Sequence, residues 1–406
     1  VSLGRLRLSN PVLVASGTLE VQVYCPQTPA GDPPTGCWTT ASNEGLIEVR
    51  TVGRFVRVNL LGDGSLAIHA AEIHAAPLHA DSLLSTWQRV FTLFADRALF
   101  DDLSYGQVWQ AACQLAAGLQ SLQPDAQQVF LAICLSNRAE WVIADLACIQ
   151  LGWVVVPLAP SDPIDRLAAI IAKCPVRMVL CETALEAALS ALPEVDHTIV
   201  VDSRSYDSVL ERGRRNDSFV PRQVAGSALY SLLFTSGSTG APKGAMRSYD
   251  SFHDMLTLYG VALPAVHLSF QPLSHLSERM LLPTVMLHGG RVFFSSGGVS
   301  LLDELAAVRP SFVFSVPRLY EVLHARFTRK LAAGGDETAL LAEIRGVFGD
   351  RVQSVSVGSA PVSAEVLAFM RRCFADIWVT EGYGSTELGT ITVDGRVHAS
   401  VEVKLV

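Results

Sequence analysis

VFLAICLSNRAEWVIADLACIQLGWVVVPL, residues 129–158, decides the fold class. Its two ends, VFLAICL (129–135) and WVVVPL (153–158), are short and apolar throughout, the pattern of strands buried on both faces. The middle, AEWVIADLACIQLG (139–152), has the length of a helix and closes on Gly152, a residue suited to ending one. Strand, helix and strand in that order predict a parallel pair of strands joined by a covering helix.

The same rhythm extends outward. Pro160 and IDRLAAIIAKC (164–174) predict another helix, and RMVLCE (177–182) and HTIVVDS (197–203) two more strands. Upstream, Ser104 precedes YGQVWQAACQLAAGLQSL with Gln107 three positions on, which predicts a helix opened by a capping box. After residue 260 the alternation returns in RVFFSS (291–296), LLDELAAVRP (301–310), SFVFSVP (311–317) and SVSVGSAP (354–361). The expected fold class is α/β, with two parallel-sheet subdomains beginning near residue 85. Residues 1–80 differ: they are poor in helix signals, and PQTPAGDPPTG (26–36) is a loop by composition. Within them FVRVNLLGDGSLAIHA (55–70) predicts a hairpin around Gly62-Asp63-Gly64. His69, His74 and His79 recur every five residues, which is no helical face, so they argue against a metal site.

The chain has 406 residues, half of them hydrophobic, so a sizeable core is available. A formal charge of −8 argues against a partner that is nucleic acid or anionic lipid. The eight cysteines are scattered with no CxxC pair, which predicts a reducing, cytoplasmic compartment and no zinc site. No apolar run approaches the roughly 18–20 residues of a spanning helix, so no membrane span is expected. In VSLGRLRLSNPVLVASG the apolar stretch PVLVA is shorter than the roughly 7–15 residues of a signal peptide core.

The chemistry sits in SLLFTSGSTGAPKG (231–244). YSLLF (230–234) is a strand that delivers the chain into a bend of hydroxyls and glycines, followed by one lysine. Glycines let backbone N–H groups approach an anion, hydroxyls add rotatable donors, and Lys243 adds a compact positive charge. The order is not GxxxxGK[ST], because Lys243 follows Pro242 and precedes Gly244. Nor does the chain hold a GxSxG elbow, so a serine hydrolase is not supported.

TSGSTGAPKGAM closely resembles the phosphate loop of the adenylate-forming (acyl-activating, AMP-binding) superfamily, and three further segments match in order. QPLSH (271–275) is similar to the segment with the carboxylate-site histidine, VGSAP (357–361) to the adenine strip, and EGYGSTELG (381–389) to the magnesium-binding acidic motif. The resemblance covers about residues 85 to 406. It is nearest to the adenylation domain of carboxylic acid reductases, with long-chain acyl-CoA synthetases second, whose flavour PLSHLSER carries.

The resemblance implies ATP-dependent activation of a fatty or aryl carboxylic acid to an acyl-adenylate. Thr235, Ser236, Gly237, Ser238, Thr239, Gly240 and Lys243 would bind the ATP phosphates. Gly358, Ser359, Ala360, Pro361, Glu381, Gly382, Tyr383 and Gly384 would lie along the adenine. His275 would flank the substrate carboxylate, Thr386 would touch the α-phosphate, and Glu387 would hold Mg²⁺. The thiol acceptor would be a carrier-protein phosphopantetheine or coenzyme A. The positive charges of Arg279 and Arg318 suit a salt bridge as well as a ligand.

The same resemblance implies that the ribose-binding aspartate, the hinge and the C-terminal lid with its lysine lie beyond Val406, leaving an incomplete β-barrel portion. The expectation is therefore a fragment, a mosaic product or a remnant, the last an inactive nucleotide binder. LGRLRLSNPVLVASGT (3–18) resembles the start of a dihydroorotate dehydrogenase, but no barrel pattern follows it. Residues 1–80 are assigned no role.

Overall fold

In a computed structural model the chain divides into two units, Val1–Ala80 and Asp81–Val406. The structure describes four strands of the first unit and residues 82–123, 128–235, 242–256, 265–297, 300–398 and 401–403 of the second. In the first unit β1 (Gln22–Val23), β2 (Gly45–Thr51), β3 (Arg54–Leu60) and β4 (Leu66–Ile68) form an antiparallel sheet in that order. Leu60 stands opposite Leu66, so the predicted hairpin is present in the backbone. The segments 3–18 and 26–36 and His69, His74 and His79 lie outside the described residues.

The second unit opens with the helix Leu83–Leu93, then β5 (Ala98–Phe100) and β6 (Leu103–Ser104), followed by the helix Tyr105–Leu122. Ser104 and Gln107 make the reciprocal capping box: the Gln107 N–H donates to Ser104 Oγ at 3.2 Å and the Ser104 N–H to Gln107 Oε1 at 2.8 Å. The deciding segment becomes β7 (Phe130–Cys134), the helix Ala139–Leu151 and β8 (Val154–Leu158). Gly152 ends that helix at φ 67°, a left-handed conformation that side chains disfavour. Next come β9 (Val176–Cys181), β10 (His197–Val200), β11 (Leu229–Thr235) and β12 (Lys243–Ser248).

These strands make a six-stranded sheet of order β10-β9-β7-β8-β11-β12, parallel except for its edge strand β12. Every residue of β8, and all but the first of β7, is buried. The helix Ala139–Leu151 is buried from Trp141 onward, which explains why it is apolar nearly all round.

The second βα series gives β13 (Val266–Ser269), the helix Leu276–Leu287, β14 (Arg291–Phe294), β15 (Phe312–Ser315) and β16 (Ser354–Gly358). A meander of β17 (Trp378–Ser385), β18 (Gly389–Val393) and β19 (Arg396–Val397) follows. Two sheets result, β13-β14-β5-β6 and β15-β16-β17-β18-β19, and among the described residues neither closes into a barrel. β15, β16 and β17 are parallel, over a core that includes Tyr320, Phe348, Val355, Val357 and Met370. The fold is thus α/β with parallel sheets, as the sequence predicts.

Six cysteines are described, and all are free thiols. Burial pushes Cys134, Cys181 and Cys373 up to about 12, and Cys174 to about 11. At pH 8 only about one in 10⁴ of a thiol near 12 is the reactive thiolate. Iodoacetamide at that pH is therefore expected to leave these four unmodified in the native protein and to label them after denaturation, as peptide mass mapping will check.

Candidate active site

β11 and β12 form an antiparallel pair in which Thr235 stands opposite Lys243. The bend between them is the predicted phosphate loop. Ser236, Gly237, Ser238, Thr239 and Gly240 lie outside the described residues, while Thr235 is half-buried and Lys243 exposed at the two edges of the bend. Just before Lys243, the Pro242 carbonyl accepts a 2.7 Å hydrogen bond from Lys173 Nζ, a second cation that no motif announces.

His275 is exposed at the N-terminus of the helix Leu276–Leu287. Two buried charges on its first turns fix that helix. Glu278 Oε1 is hydrogen-bonded to His267 Nε2 of β13 at 2.7 Å, with both side chains buried. Arg279 reaches the six-stranded sheet: it donates to Asp145 Oδ1 at 2.8 Å, to the Tyr230 hydroxyl at 2.9 Å and to Ser231 Oγ at 3.2 Å. Its guanidinium also lies over the rings of Trp141, Tyr230 and Phe252. Arg279 is 1% exposed, whereas Arg318 lies in solvent beside Glu321. Of the two readings open for these arginines, Arg279 takes the salt bridge.

The segment predicted to line the adenine lies at the end of β16. Gly358 is buried opposite Gly382 of β17, and a Cβ on it would sit 2.6 Å from the Gly382 carbonyl oxygen, so only glycine lets the strands approach this closely. Ser359 turns the chain at φ 64°, and Ser359, Ala360 and Pro361 are exposed. Glu381 pairs with Val357, and its N–H donates to Asp394 Oδ1 at 2.8 Å. Tyr383 and Gly384 are exposed near the end of β17, and Thr386 and Glu387 occupy the turn into β18.

A cleft of about 690 Å³ gathers six of these residues: His275, Ser359, Gly382, Tyr383, Gly384 and Thr386. Gly358, Ala360, Pro361, Glu381, Glu387, Thr235 and Lys243 do not line it, although Glu387 follows Thr386 directly. Both ends of β17 do, so the cleft runs along that strand for roughly 23 Å.

One wall is apolar, from Leu276, Met280 and Leu281 on the helix and Phe312 and Phe314 on β15. Beside Phe314, on the same face of the sheet, Ser356 Oγ and Thr380 Oγ1 share a 2.6 Å hydrogen bond. Gln271 links the sheet to the helix, donating to the Phe314 carbonyl at 2.9 Å and accepting from Ser277 Oγ at 3.3 Å. Gln271 falls in QPLSH, but Phe312, Phe314, Ser356 and Thr380 were not singled out from sequence, since each is an ordinary strand residue until the sheet and helix face one another.

The strand carrying Lys243 and the turn carrying Glu387 also meet. Arg247 of β12 donates from Nη2 to the Thr386 carbonyl at 2.7 Å. Lys243, Ala245 and Arg247 alternate onto one face of β12, so the loop cation and the acidic turn lie on the same side of the six-stranded sheet.

The chain is 33% identical over 362 residues to a carboxylic acid reductase of Mycobacterium marinum, covering 76% of this chain and 30% of that protein. It is 30% identical to long-chain-fatty-acid–CoA ligase 6 of Rattus norvegicus over 70% of this chain and 49% of that one. The chain therefore spans about a third to a half of the curated relatives it matches. Among solved structures, the adenylation domain of a carboxylate reductase from Mycobacterium chelonae superposes with a TM-score of 0.68 at 25% identity, covering 78% of this chain and 59% of that one. The A-PCP didomain of a carboxylic acid reductase from Segniliparus rugosus, solved with AMP, gives 0.70 at 23% identity over 78% of this chain and 55% of that chain, a likeness of fold. Residues 89–404 match the family described as AMP-binding enzyme, and the chain belongs to that family.

Proposed function

We propose that this chain is the large part of an adenylation domain, in which ATP activates a carboxylic acid to an acyl-adenylate with release of pyrophosphate. The observation that carries the reading is the cleft that joins His275, Ser359 and Gly382–Gly384 with Thr386 along one apolar wall. Two anions must meet in this reaction, so donors and cations have to be aimed at the charge that develops between them. Lys243 with the loop from Thr235 to Gly240 would hold the β- and γ-phosphates. The exposed strip Ser359–Pro361 with Gly382–Gly384 would take the adenine, His275 the carboxyl group, and the apolar wall a fatty or aryl tail.

Glu387 fits a magnesium ligand. It is an exposed carboxylate with no hydrogen-bond partner among the described residues. Those residues hold no cluster of three or more His, Cys, Asp or Glu, which suits an ion that binds one carboxylate and the substrate's own phosphates. Such an ion would offset phosphate charge. The acceptor of the acyl group would be a carrier-protein phosphopantetheine, as the reductase relatives favour, or coenzyme A, as the ligase relative favours. The free, buried thiols favour the cytoplasm, and no helix among the described residues is long and apolar enough to cross a membrane.

Carboxylate-dependent exchange of labelled pyrophosphate into ATP tests the reading, with calorimetry of Mg·ATP and AMP alongside. Exchange driven by a fatty or aryl acid supports it. Nucleotide binding without exchange leaves an inactive nucleotide binder, and a chain that binds neither nucleotide refutes both.

A further inference from the structure

Arg247 belongs to none of the four motifs, yet it is a buried guanidinium, 5% exposed, between two of them. It leaves β12 four residues after Lys243. Nη1 donates to Ser251 Oγ at 3.1 Å, and the Ser251 N–H donates to Ser248 Oγ at 3.1 Å, the cap of the helix Tyr249–Met255. Nη2 donates to the Thr386 carbonyl at 2.7 Å. The guanidinium is thus braced on the helix that follows β12 and holds the backbone of the acidic turn on its other side.

Gly389 closes the same contact. It stands at φ 80° where β18 begins, and a Cβ there would lie 3.8 Å from Arg247 Nη2 and 3.5 Å from Met255 Sδ. Burial works against the charge on Arg247, and the carboxylate of Glu387 opposes that effect. A planar fork can bridge two acceptors in fixed directions, which a lysine ammonium on a flexible stem cannot.

We propose that Arg247 is a positioning residue of the nucleotide site, coupling the strand that leaves the phosphate loop to the Thr386–Glu387 turn. It fixes the turn by its backbone, and so fixes how far the Glu387 carboxylate stands from the phosphates that Lys243 and its loop would hold. Lys243 and Arg247 are separated by roughly 13 Å of strand, a rigid spacer once β12 is paired with β11. The role in metal-bound nucleotide rests on the adenylation reading above, whereas the coupling of strand to turn is a property of the protein alone.

Arg247→Met and Arg247→Lys, made in the whole chain, test both parts. Without nucleotide, amide hydrogen exchange at 385–389 is expected to quicken by about tenfold or more in Arg247→Met, with β15 and β16 within about twofold of wild type. By calorimetry, Mg·ATP affinity is expected to fall by about tenfold, the worth of a lost charge-assisted bond, while AMP measured without metal changes by less than about twofold. Arg247→Lys keeps the charge and one donor and is expected to fall between.

Unchanged exchange at the turn overturns the coupling, and an equal loss for AMP and Mg·ATP overturns the positioning role, being the mark of a merely structural residue. A wild type that binds no Mg·ATP sinks the adenylation reading instead. Exchange at the turn then still decides whether Arg247 holds it.

Discussion

Arg279→Met is expected to cost about 3–5 kcal/mol of folding stability, because it strands the buried Asp145 carboxylate without its cation. Asp145 lies on the buried helix Ala139–Leu151, with Arg279 Nη2 at 2.8 Å and the Tyr230 hydroxyl at 2.7 Å. Burial already raises its carboxyl above the usual range even with Arg279 beside it. Removing the arginine removes the largest opposing influence, so the raised value climbs further.

A carboxyl whose value is raised on folding binds its proton more readily in the folded state, so its cost is least at low pH and grows as pH rises. The deficit of Arg279→Met is therefore expected to be smaller at pH 5 than at pH 8 in urea unfolding. Asp145→Asn combined with Arg279→Met is expected to recover much of the loss, since no buried charge remains. A single variant within about 1 kcal/mol of wild type at pH 8 would count against the pair as the tie between the two helices.

Glu387→Gln is the largest expected effect on chemistry. If the carboxylate holds the metal that offsets phosphate charge, exchange of pyrophosphate is expected to fall by about 10²–10³-fold. The exposed Glu387 carries no packing, so thermal unfolding is expected to stay where it is. AMP affinity without metal is expected to hold as well, because the adenine strip is built from β16 and β17 rather than from the turn. Raising Mg²⁺ should recover little, since the ligand itself is gone. Loss of AMP binding in step with exchange would mean that the substitution disturbed the cleft rather than a metal contact.

The order of elements was legible because local rules and the global fold agree through residues 98–158. The capping box at Ser104, the apolar runs of β7 and β8 and the stop at Gly152 each follow from a few neighbouring residues. The meander was not legible in the same way. EGYGSTELG is rich in glycine and hydroxyls and carries no alternating pattern, yet its first five residues lie in β17. What makes them a strand is the row of partners that β16 offers, with Gly358 opposite Gly382 at a separation no side chain would fit.

The arginines divide the two kinds of information most sharply. By sequence alone the chain determined its α/β alternation and the order of its four motif segments, because each rests on residues adjacent along the backbone. Only the tertiary structure decided that Arg279 is an internal tie, that Arg318 is solvated and that Arg247 spans two motifs 139 positions apart. The physical reason is that a guanidinium has the same charge and donors everywhere. Its role is set by which carboxylates, carbonyls and rings the fold brings within about 3–6 Å of it, and by how much water the fold excludes there.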